Sequence, residues 1–196
     1  MLITSPVIGF DLDGVIINHI EMKQRLAKQF GFDIAPSETN SEIMSKMIPR
    51  EIWVQIQEML YDHKQFCLES PVADGAIDIL DGLNREQKEF FLISLRKKPD
   101  AAIDLLKYHK LWPKYFNERN VFFVKNREDK NTEARRLGIT HYIDDEMRVL
   151  EKLNDVPNKF LFDPFKIRKS PRHYTVIASF EELHQHLFKD NGSIRI

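Results

Sequence analysis

A chain of 196 residues, 42% of them hydrophobic, has the length for one globular domain with a smaller insertion and the apolar material for a real core, which excludes a largely disordered protein. Twenty-nine basic against thirty acidic side chains leave a formal charge of −1, so no global field points towards nucleic acid or an anionic membrane, and any anion has to be bound locally. The single cysteine, Cys67, excludes an internal disulfide, and with no signal-peptide pattern and no apolar run long enough for a bilayer the expectation is a soluble, cytoplasmic protein.

The first apolar run, residues 7–10, reads as a strand. Residues 18–72 then offer no strand. They give helical patterns at 20–30, 40–47 and 51–67, punctuated by turns in "GFDIAPSET" and "IPRE", and so predict a helical insertion after the first strand. Met44, Met47, Trp53 and Met59 sit at spacings that suggest the core of that insertion. Beyond it strands alternate with helices: helix 75–83, strand 90–93, helix 100–109, strand 121–124, helix 130–137, strand 141–143, helix 146–153 and strand 159–162. A weaker strand at 174–177 precedes a last helix, to about residue 188, that Ser179 and Glu182 open in capping-box spacing. Several strands are continuously apolar, as in a parallel sheet covered on both faces. The expected fold is α/β, doubly wound, with a mostly parallel Rossmann-like sheet built from residues 1–17 and 73–196 and a small helical cap from 18–72.

"VIGFDLDGVI" places Asp11 and Asp13 two apart at the end of the first strand, where alternation points both one way and Leu12 the other. The carboxyl end of a parallel strand is the usual ligand crevice, and Gly14 permits a sharp exit. Carboxylates this close repel unless a cation or shared proton offsets them, and Mg²⁺ suits oxygen ligands. An EF-hand reading fails, because it puts Gly9 and Ile20 where Asp and Glu are required. Three later features join the pair. Ser94 ends "EFFLIS", Lys130 lies near the start of a helix, and Asp144 and Asp145 close the strand in "HYIDDE". Each has an ordinary reading, as a cap or a solvated side chain, but together they fall at strand ends in order.

In these residues the chain resembles the haloacid dehalogenase (HAD) superfamily of phosphoryl-transfer enzymes: "FDLDGV" matches the first motif, "FLIS" the second, Lys130 the third and "IDDE" the fourth, with Lys125 of "VFFVK" competing for the third. The insertion resembles the cap found after the first strand in many members. The resemblance implies that Asp11 is a nucleophile forming an aspartyl-phosphate, and that Asp13 is the proton shuttle, helped by a pKa lifted by its neighbour. It implies Mg²⁺ held by Asp11, the Asp13 carbonyl and Asp145, with Asp144 behind, and phosphoryl oxygens bound by Ser94 and Lys130. Asn18 and His19 are candidate substrate contacts from the cap. Arg96, clustered with Lys97 and Lys98 before a helix opened by Pro99, is a third, since basic groups at a helix start gain from a nearby anion; a solvated basic turn is the plain alternative. His184 and His186 point to different faces and predict no metal site.

The second aspartate argues against carbon–halogen cleavage, and aspartyl-phosphate pumps need membrane helices. The expectation is a Mg²⁺-dependent phosphatase acting on a small phosphomonoester such as a nucleotide or sugar phosphate. A phosphomutase, a nucleic-acid end phosphatase and a phosphate-binding or regulatory protein with little turnover are the alternatives.

Overall fold

The computed structural model describes residues 5–169 and 173–188. Residues 1–4 and 189–196, the ends of the expected core, lie outside them. Six strands, β1 (Ile8–Phe10), β2 (Phe90–Ser94), β3 (Val121–Phe123), β4 (His141–Asp144), β5 (Asn158–Phe162) and β6 (Thr175–Ile177), form one sheet in the order β3-β2-β1-β4-β5-β6. Every neighbouring pair is parallel. The order reverses at β1, so its carboxyl end lies at the topological switch between β2 and β4, where such sheets open a crevice.

Between β1 and β2 the chain runs through α1 (Ile20–Gln29), a 3-10 turn (Pro36–Glu38), α2 (Ser41–Met47), α3 (Arg50–Asp62) and α4 (Lys64–Cys67), then enters α5 (Ala76–Arg85). The helix expected over 51–67 breaks at His63, whose backbone is extended. The insertion has its own apolar cluster, built on Leu26, Met44, Trp53, Ile56 and Leu60; Met47, expected there, faces outwards. The remaining helices are α6 (Pro99–Tyr108), α7 (Arg127–Arg136), α8 (Met147–Leu150) and α9 (Phe180–Leu187).

Strand alternation divides the core. Phe10, Leu92, Phe160 and Phe162 pack with α5, α6 and α9 on one face, while Ile93, Tyr142 and Leu161 pack with α7 and α8 on the other. Gly9 is required by that second layer, since a Cβ there would lie 2.5 Å from the Tyr142 ring. Local caps fix the helix starts nearest the crevice. The Asn126 side chain accepts from the Asp129 N–H at 2.9 Å, which starts α7 three residues before the expected position and sets Lys130 one turn in. At α9 the Ser179 hydroxyl accepts from the Glu182 N–H at 3.2 Å, and Glu182 reaches back to the Ala178 N–H at 2.8 Å.

Candidate active site

Asp11 leaves β1 with its N–H still donated to the Ile143 carbonyl at 2.9 Å, so the ladder with β4 holds it in the crevice. Lys130, 2% exposed, places its ammonium between two carboxylates, 2.7 Å from Asp11 Oδ1 and 2.8 Å from Asp144 Oδ2. Lys125 is exposed. Asp11, Asp144 and Asp145 each bring an oxygen within 4.8 Å of the others, and all three are buried. One ammonium against three carboxylates leaves the cluster short of positive charge. Burial pushes Asp11 up to about 7 against the opposing pull of Lys130. Asp145 is driven well up by burial and then by Glu146. Oxygen-only donors, buried and convergent, fit a hard cation such as Mg²⁺.

Gly14 turns the chain away with φ +86°, and a Cβ there would run into the Asp145 carboxylate. Across the switch point Ser94 is fully buried, and its Oγ has no hydrogen-bond partner among the described residues. A buried orphan hydroxyl is costly, and this one is left able to donate to an acceptor.

Asp13 lies in the following turn, and its surroundings reverse the expectation of a lifted pKa. Burial raises it, but Arg96 and His19 outweigh burial and hold the carboxyl well below the usual range. Arg96 grips it with two bonds, Nε to Oδ2 at 2.7 Å and Nη2 to Oδ1 at 2.6 Å. The anion beside Arg96 is thus a side chain of this chain, and at 4% exposure Arg96 is no solvated turn. Its remaining edge donates to the Tyr61 carbonyl at 2.6 Å, with the guanidinium 4.6 Å from the Tyr61 ring centre, so a core residue holds both Asp13 and the end of α3. His19 bridges Asp13 Oδ1 and the Ser70 hydroxyl, both at 2.7 Å. Asn18 spends its side-chain oxygen on the Ile20 N–H at 2.9 Å, starting α1.

The start of α2 docks on the fourth-motif loop. Asn40 donates to the Asp145 carbonyl at 2.8 Å and to its carboxylate at 3.1 Å. Glu42 accepts the N–H groups of Met147 and Arg148, both at 3.0 Å, capping α8 from another element, and pairs with Arg168 at 2.7 Å. A cavity of about 290 Å³ opens beside Asp145 rather than over Asp11, between the insertion and the sheet ends; Asn18, His19, Lys23, Asn40 and Arg168 are on its wall. Tyr61, Ser70, Glu42 and Arg168 carried no local sequence signal, because their partners are distant in the chain, and Asn40 carried only that of a helix cap. Lys23 carried one: it falls on the face of α1 that buries Met22, Leu26 and Ala27.

No family profile and no curated protein matches the sequence. Solved structures do match over nearly the whole chain. A HAD family hydrolase from Deinococcus radiodurans R1, crystallised with phosphate and sodium, superposes with TM-score 0.61 at 15% identity, covering 94% of this chain and 96% of that one. A family IA, variant 3 HAD hydrolase from Entamoeba histolytica gives 0.63 at 14%, covering 93% and 96%. A dehalogenase captured with an intermediate gives 0.64 at 11%, covering 97% and 100%. The chain has the HAD hydrolase fold, with a helical insertion between β1 and β2. Proteins of different chemistry share that fold, so the reaction has to be argued from the side chains.

Proposed function

We propose that the protein is a Mg²⁺-dependent phosphatase that hydrolyses a small phosphomonoester, a nucleotide or sugar phosphate, through an aspartyl-phosphate on Asp11. The observation that carries this reading is the Lys130 ammonium held between Asp11 and Asp144, with the Ser94 hydroxyl at the end of the neighbouring strand left without a partner among the described residues. Asp11, the Asp13 carbonyl and Asp145 would hold the metal, with Asp144 behind them. Bound there, Mg²⁺ would offset the carboxylates and polarise a phosphoryl oxygen.

On this reading Asp11 attacks phosphorus, the ester P–O bond breaks, and the departing oxygen takes a proton from Asp13. Asp13 then takes a proton from the water that attacks the aspartyl-phosphate, releasing phosphate and restoring Asp11. Lys130 and Ser94 hold phosphoryl oxygens in place, the positioning and charge stabilisation on which this chemistry depends. The observed pairing with Arg96 keeps Asp13 ionised and makes it a weak base; to take up a proton and serve as base and then acid it has to surrender guanidinium bonds. The near-neutral formal charge and the small cavity support a metabolite over an oligonucleotide, and the lone thiol supports a cytoplasmic setting. Among the described residues no helix is long and apolar enough to cross a membrane.

The test is phosphate release from nucleotides, sugar phosphates and end-phosphorylated oligonucleotides, with wild type beside Asp11→Asn. Turnover that EDTA abolishes and Asp11→Asn lowers at least about a thousandfold is expected. Equal, negligible release from both proteins overturns the phosphatase reading. A second reading, a phosphate-binding protein with little turnover, draws on the Arg96 grip on Asp13, which withholds the acid. Phosphate binding without turnover would favour it.

A further inference from the structure

Lys23 is a buried cation that the proposed chemistry does not use. It is 4% exposed, and its ammonium makes one hydrogen bond, to the Ser41 hydroxyl at 3.2 Å. No carboxylate among the described residues pairs with it. Its other two donors have no hydrogen-bond partner among the described residues, and Lys23 lines the cavity that Asp145 shares. The Asp145 carboxylate acts on this ammonium from beyond ion-pair distance, so its burial is only partly offset, and an anion in the cavity would supply a direct partner. Arg168, the other cation on that wall, is already spent on Glu42, the Asp145 carbonyl and Asn40. Between the polar groups the wall is apolar, through Phe162, Pro164, Phe165 and Ile167. At about 290 Å³ the space suits a small metabolite.

We propose that Lys23 binds a second anionic group of the substrate, a carboxylate or a second phosphate, while the reacting phosphoryl group lies at Asp11. The substrate class is then a small acid phosphate rather than a phosphomonoester with a neutral tail. The inference rests on the phosphatase reading, because a cation on Asp145 is what keeps that carboxylate from repelling an anion beside it.

Two measurements separate the two ideas. The first is kcat/KM for phosphoglycolate and for fructose 1,6-bisphosphate, each relative to ethyl phosphate, in wild type, Lys23→Met and Lys23→Arg. The second is calorimetric binding of the same esters to Asp11→Asn with and without Lys23→Met, after thermal melts show that each variant is folded. Lys23→Met is expected to shrink the preference for the anionic tail by about 10- to 100-fold, mainly through KM, the worth of a charge-assisted hydrogen bond. Lys23→Arg should keep most of the preference, and the ester that loses more tells carboxylate from phosphate. An equal loss on anionic and neutral esters would make Lys23 a structural counter-charge for Asp145 and overturn the proposal. If wild type hydrolyses nothing while Asp11→Asn binds anionic esters only with Lys23 present, the phosphatase reading falls and the anion site stands. Absence of Lys23-dependent binding sinks the anion site whatever the turnover.

Discussion

Ser94 and Lys130 differ in what their loss should cost. The Ser94 hydroxyl has no hydrogen-bond partner among the described residues, so Ser94→Ala should leave the melting temperature level or slightly higher. If the hydroxyl holds a phosphoryl oxygen, the same variant should lower kcat by about 10²–10³-fold. A drop in stability with activity intact would place the hydroxyl in the structure rather than the chemistry. Lys130→Met should do the reverse to stability, because it strips the shared partner from Asp11 and Asp144; denaturant titration should show a loss of about 3–5 kcal/mol. His141 gives a pH dependence. Burial lowers its pKa below 6.5, and its ring stacks on Phe160. As pH falls through the unfolded value, the unfolded chain takes up a proton that the folded chain resists, so folding stability falls on the acid side and is unaffected well above it. His141→Gln should therefore melt with a shallower decline between about pH 7 and 5. Parallel declines would assign the acid sensitivity to other groups.

At the scale of elements, two contacts set how closely parts approach. β1 packs against the Tyr142 ring through Gly9, and a methyl group there has to displace ring or strand. Gly9→Ala should cost about 1–3 kcal/mol in a denaturant titration, and Gly9→Ala with Tyr142→Leu should recover part of it. α8 is a single turn whose first N–H groups are capped by Glu42 of the insertion instead of by a local side chain. Glu42→Gln keeps an acceptor but loses the charge opposite Arg168. Amide exchange at Met147 and Arg148 should quicken while the sheet stays protected; uniform protection would show that the insertion docks without this contact.

Across the whole molecule, the insertion and the sheet meet through buried polar groups as well as apolar surface. Arg96 ties Asp13 to Tyr61, His19 ties Asp13 to Ser70, and Asn40 and Glu42 hold the fourth-motif loop. The insertion thus touches both Asp13 and Asp145, through Tyr61 by way of Arg96 and through Asn40. In this arrangement Asp13 is an anion and Asp11 is the carboxyl lifted by burial, the reverse of the order expected from two neighbouring aspartates.

The sequence by itself determined the order of strands and helices and the residues at the strand ends, because those depend on local apolar periodicity and caps such as Asn126 and Ser179, which act within a few residues. It also brought out Asp11, Ser94, Lys130, Asp144 and Asp145 as a group, since the ends of parallel strands converge in any doubly wound sheet. Which lysine reaches the carboxylates was decided by the tertiary structure, through the early start of α7 and the burial of Lys130. Only the fold, too, gave Arg96 to Asp13, set Glu42 on α8 and opened a cavity beside Lys23. Those pairings join residues up to 106 positions apart, and a partner across such a separation is chosen by packing geometry and desolvation, which no local pattern encodes.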